Sequence, residues 1–147
     1  MSSAQPVSSH GTDMEATFSQ LVANARREAL SANRVLLDVL QESSGLDNQA
    51  FCAQLGAAFS YPTLASSELY AMSPRFDLIG YVDSSARGVL VAETADKECW
   101  LVLADPFDGG SEAWALRRLQ CRVQVGIAHP ADLRAFLARQ EDQLSAM

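Results

Sequence analysis

Leu101-Val102-Leu103-Ala104-Asp105-Pro106-Phe107-Asp108 joins an uninterrupted apolar run to an acidic turn that contains a proline. From Cys99 to Ala104 no residue is charged. A short apolar run of this β-rich make-up predicts a strand covered on both faces, and therefore one in the middle of a sheet. Pro106 lacks a backbone N–H and restricts the residue before it to extended or turn conformations, so the strand stops there. Asp108, Gly109, Gly110 and Ser111 then supply turn and N-cap chemistry for a helix over residues 112–119, which carries Trp114. An acidic pair beside a turn is also how a metal or general-acid site begins. No His or Cys stands near Asp105 and Asp108 at ligand spacing, so capping of loop and helix-start N–H groups is the favoured reading.

Working outward, residues 88–93 read as a Val- and Leu-rich strand, turned by Thr94 to Lys97 into the central one as an antiparallel hairpin. Residues 76–82 read as a further short strand and residues 83–86 as a turn. Downstream, residues 121–127 alternate: Cys121, Val123, Val125 and Ile127 fall on one face, Arg122 and Gln124 on the other. Pro130 suits the first turn of a last helix. In that helix Leu133, Phe136, Leu137 and Leu144 can cover the sheet while Asp132, Arg134, Arg139 and Glu141 face solvent.

The first half is mostly helical. Phe18, Leu21, Val22, Ala25 and Ala29 keep one-face spacing from Met14 onward, and a second helix over residues 35–41 ends at Ser43-Ser44-Gly45. A third, over residues 48–59, aligns Phe51, Cys52, Leu55, Ala58 and Phe59 ahead of Pro62. Ser66, Ser67 and Glu68 open one further short turn. The expected organisation is a disordered leader over residues 1–13, a helical segment over 14–46 and an α/β domain over 47–147. The fold class is α+β: N-terminal helices, then a small three- to four-stranded sheet with helices packed on it, in the order strand, hairpin, helix, strand, helix.

The chain has 147 residues, 48% of them hydrophobic and 20% charged, with a formal net charge of -7. That balance predicts a globular protein with a core and opposes polyanionic partners, so nucleic acid and anionic lipid are poor candidates. No apolar stretch approaches a membrane span, and residues 1–13 lack a basic region followed by an apolar one; the reading is cytosolic. The three cysteines, Cys52, Cys99 and Cys121, are odd in number, far apart and set in apolar patterns. They read as buried free thiols.

Catalytic motifs are missing. The sequence has no Gly-x-x-x-x-Gly-Lys-Ser/Thr loop, no Gly-x-Ser-x-Gly elbow and no His-Glu-x-x-His helix. His10 lies in the leader and His129 precedes Pro130 as a helix-start residue. Arg75 and Arg87 flank the first strands and are candidates for holding a carboxylate or phosphate, although solvated or salt-bridged arginines are the ordinary alternative. Trp100 and Trp114 read as core or subunit-interface residues, because no basic groove accompanies them.

From Phe51 to Gln140 the chain resembles the N-terminal domain of type II secretion and type IV pilus assembly ATPases, the secretion-pathway E protein family. Leu55-Gly56, Phe59, Leu64, Phe76-Asp77-Leu78-Ile79, Arg87 and above all Leu103-Ala104-Asp105-Pro106-Phe107-Asp108 carry the resemblance. Ala128-His129-Pro130-Ala131-Asp132-Leu133 and Phe136-Leu137-Ala138-Arg139 complete it. It implies a non-catalytic docking and regulatory domain without a cofactor. Its partners would be the cytoplasmic part of an inner-membrane assembly protein and an ATPase domain of the same polypeptide, which places the chain in the cytoplasm, peripheral to the inner membrane. Some members bind cyclic-di-GMP through Arg-Leu-Gly motifs; this chain has Asn33-Arg34-Val35-Leu36-Leu37 in that place. A sensor reading would use Arg34, Arg75 or Arg87 for phosphates. Similar domains also precede some bacterial glycosyltransferases.

Overall fold

The computed structural model describes residues 6–145, and the side chains of residues 17–143. The chain divides into two compact units, Met1–Asp47 and Asn48–Met147.

The first unit is a helical pair, α1 (Pro6–Ala32) and α2 (Leu36–Ser44). Helix α1 therefore takes in residues 6–13 of the stretch expected to be a leader, while residues 1–5 lie outside the described residues. Ala25 and Ala29 are buried on α1, and Leu37, Val39 and Leu40 on α2. Asn33 adopts a left-handed φ of 54° at the corner between them. Gly45 closes α2 at φ 70°, its N–H donating to the Gln41 carbonyl at 3.1 Å, which is the C-terminal role expected of it.

The second unit opens with α3 (Asn48–Phe59), followed by the short α4 (Ser66–Tyr70), β1 (Ser73–Pro74) and α5 (Tyr81–Arg87). Then come β2 (Val89–Glu93), β3 (Cys99–Leu103), α6 (Gly109–Arg118), β4 (Gln124–Ile127) and α7 (Pro130–Ser145). The sheet is mixed, in the order β1-β2-β3-β4. Strands β2 and β3 form the expected hairpin, with Val89 opposite Leu103 and Glu93 opposite Cys99; β3 and β4 run parallel, Trp100 opposite Gln124, joined through α6. The fold class is the expected α+β. Strand β3 lies between two neighbours, as its uncharged run predicted. Leu90, Ala92, Val102 and Ala104 pack on one face with Leu64, Leu69, Leu133, Phe136 and Leu137. Val89, Val91, Leu101 and Leu103 pack on the other with Ile79, Ala115 and Leu119. Both faces are covered, so the buried positions 89–92 and 101–103 do not tolerate charge without desolvation, and the one charged residue, Glu93, sits at the partly exposed end of β2.

Several local expectations are corrected. Residues 76–82 are not a strand, nor 83–86 a turn: the first strand is Ser73–Pro74, and Tyr81–Arg87 is helix α5. That helix begins from an extended Gly80, places Asp83 in its first turn and is closed by Gly88 at φ 67°. Those end signals override the β-branched and aromatic composition of the segment. Residues 121–127 form a strand only from Gln124, and the helix expected over 112–119 starts earlier, at Gly109. Of the three thiols expected to be buried, Cys52 is buried, Cys99 half-buried and Cys121 exposed, because the chain bends at Cys121 before β4 begins.

One close approach fixes α3 on the sheet. A Cβ on Gly56 would lie 2.5 Å from Thr63 Cγ2 and 2.7 Å from the Tyr61 carbonyl oxygen. The chain reverses there through Ser60 at φ 60°. Residues 62–64 then run along β4, the Ile127 N–H donating to the Pro62 carbonyl at 2.9 Å and the Leu64 N–H to the Ile127 carbonyl at 2.8 Å.

Candidate functional site

At the junction with which the sequence reading began, Asp105 and Asp108 serve the backbone. The Phe107 N–H donates to Asp105 Oδ1 at 2.9 Å. Asp108 is the N-cap of α6: its Oδ1 accepts the Ser111 N–H at 3.0 Å and its Oδ2 the Ser111 hydroxyl at 2.8 Å. The Ser111 backbone bond, then the Ser111 hydroxyl, with a smaller contribution from the Arg87 charge, hold the Asp108 carboxyl below the usual carboxylate range. Among the described residues no group of three or more His, Cys, Asp or Glu is placed to hold a metal ion. His129 accepts the Ala131 N–H on Nδ1 at 3.0 Å and sets its ring edge-on to Phe51, a helix-start role.

The three arginines singled out from sequence are treated differently by the fold. Arg34, in the first unit, is bidentate to Glu42, with Nη1 to Oε1 at 2.9 Å. Arg75 clamps Asp77 through Nε and Nη2 at 2.9 and 2.8 Å and reaches Glu93 at 3.1 Å. Arg87 forms no ion pair among the described residues: its guanidinium lies over the Trp114 ring, 4.0 Å from the centroid. The Arg118 guanidinium lies 4.6 Å from the same ring. Trp114 and Trp100 each pack against a core cluster, as expected, and Trp114 also offers its ring face to the two guanidinium groups.

Arg87 also lines a cleft of about 520 Å³ between the C-terminal half of α5, the β3–α6 corner and the first turns of α7. Its walls include Ser84, Asp105, Asp108 and Arg134 over an apolar floor of Ala104, Leu133 and Leu137. Arg75 does not line this cleft. Ser84 is fully buried and its hydroxyl oxygen has no hydrogen-bond partner among the described residues. Sequence reasoning assigned Ser84 to a turn and Arg134 to bulk solvent. The pair of glycines bracketing Asp83, at positions 80 and 88, was the available signal that a helix, and hence a wall, stands there.

The thiols are set apart by environment. Burial, then the nearby Asp132 charge, pushes the Cys52 thiol up to about 11. Burial also raises Cys99, whose side chain contacts that of Cys121.

No family model and no curated protein matches the chain. Solved structures do. One is a structure of MshE with cdg, matched at a TM-score of 0.62 and 19% identity over 82% of this chain and 87% of that one. Another is the N-terminal domain of XpsE, at a TM-score of 0.55 and 11% identity over 94% of this chain and 99% of that one. The chain has the fold of secretion-ATPase N-terminal domains. Both matches span most of this chain, further than the residues 51–140 on which the sequence resemblance rested. No described helix is long and apolar enough to cross a membrane.

Proposed function

We propose that this chain is a docking and regulatory domain of a bacterial type II secretion or type IV pilus ATPase. In this reading it has no catalytic role of its own and binds the cytoplasmic domain of an inner-membrane assembly protein. It works in the cytoplasm, held at the inner membrane through that partner, and passes the partner's position to an ATPase domain. The observation that carries the reading is the likeness to the XpsE N-terminal domain, which extends over 99% of that chain. The use of Asp105 and Asp108 as loop and helix-cap acceptors supports it, since these carboxylates are engaged in building the corner. Co-purification of the tagged chain with the cytoplasmic domain of its cognate assembly protein tests the reading. Retention through a salt wash supports it, and loss of the partner at low salt contradicts it.

A second reading, a cyclic-di-GMP sensor, is favoured by one observation: the similar MshE structure was solved with cdg. Against it, Arg34, which stands where the Arg-Leu-Gly motif would begin, is held by Glu42. Calorimetry with cyclic-di-GMP separates the two readings, a saturable heat favouring the sensor and a flat titration removing it.

A further inference from the structure

We propose that the cleft between α5, the β3–α6 corner and α7 binds a small organic anion carrying a single negative charge on an apolar body. Its volume of about 520 Å³ falls within the range of small-molecule sites, which combine an apolar lining with a few convergent polar groups. Arg87 and Arg134 stand on its walls, and neither is in an ion pair among the described residues. Stacking on Trp114 fixes the plane of Arg87 while leaving its N–H edges as the fork that matches carboxylate or phosphate oxygens.

Ser84 is the independent observation. Ser84 lines the same cleft, and its fully buried hydroxyl meets no acceptor or donor among the described residues, an arrangement that is unfavourable unless a ligand supplies the bond. The two carboxylates on the walls do not compete for that role. Asp108 is bonded to Ser111, and Asp105 receives the Phe107 N–H. Their charges nevertheless offset those of Arg87 and Arg134, so the lining is close to neutral and favours a monoanion over a polyphosphate. Ala104, Leu133 and Leu137 would cover the ligand's apolar body.

The test is an NMR titration of the full chain with benzoate, diphenyl phosphate and, as the neutral control, benzyl alcohol. It reads the backbone amides of residues 84–88 and 133–138 and the Trp114 indole N–H. The expected result is saturable movement of those signals by at least one anion with a Kd below about 5 mM, weakened about tenfold in Arg87→Gln and in Arg134→Gln. Saturation by benzoate alone assigns a carboxylate head and by diphenyl phosphate alone a phosphate head; either supports the site. Ser84→Ala keeps the apolar floor and should weaken the same anion, with unchanged signals elsewhere showing that it folds. Movement that fails to saturate, that benzyl alcohol reproduces, or that persists unchanged in both arginine variants overturns the proposal. No partner protein is present in the titration, so its outcome is independent of docking.

Discussion

Asp108 illustrates how one side chain fixes a corner. It satisfies the Ser111 N–H at the start of α6, where the first helical amides have no intrahelical acceptor. Asp108→Ala should lower stability by about 1 kcal/mol, and Asp108→Asn, which also caps, by much less, both measured by urea denaturation. Because the folded carboxyl is held below its ordinary range, its contribution is present in full above the unfolded value of about 3.9 and fades as the pH falls through the lower folded value. Asp108→Asn should therefore show a flatter acid limb of the stability profile below about pH 4. Thiol chemistry gives a second residue-level prediction. A disulfide reagent should modify exposed Cys121 first, while Cys52, buried and raised to about 11, should react only on unfolding. Prompt modification of Cys52 in the native protein would contradict the packing of α3. The capping role of Asp108 was legible because cap chemistry is local. The exposure of Cys121 was not, because an alternating pattern does not reveal where the chain bends.

At the scale of elements, β3 and its hairpin could be read from sequence because an apolar run bounded by a turn and a proline admits few alternatives. Helix α5 could not. Phe76, Leu78 and Ile79 before it and Val82 within it have strand composition, and only the glycines at its two ends argue otherwise. Gly88 sits at φ 67°, a conformation that costs a residue with a Cβ about 1 kcal/mol. Gly88→Ala should lose about that amount in a denaturant titration. Leu90→Ala, which empties a fully buried position on β2, should lose about 2–5 kcal/mol. Equal losses from the two variants would mean that the strand is packed less tightly than its burial implies. The cleft lined by Arg87, Ser84 and Arg134 was hidden for the same reason as α5, since its wall exists only once residues 81–87 are helical.

For the whole molecule, the sequence carried the α+β class and the family likeness through the Ala-Asp-Pro-Phe-Asp corner. The Arg75–Asp77 pair is local, two residues apart, but the sequence could not reveal Arg34–Glu42 or Arg75–Glu93, contacts 8 and 18 residues apart. The central claim is that the chain is a docking domain. Isothermal titration of this chain into the cytoplasmic domain of its cognate inner-membrane assembly protein tests it most directly. The account predicts saturable binding near one-to-one with a Kd of tens of micromolar or tighter, the range of about -6 to -8 kcal/mol expected of a transient protein contact. A flat titration with both proteins folded and above about 100 µM would contradict it.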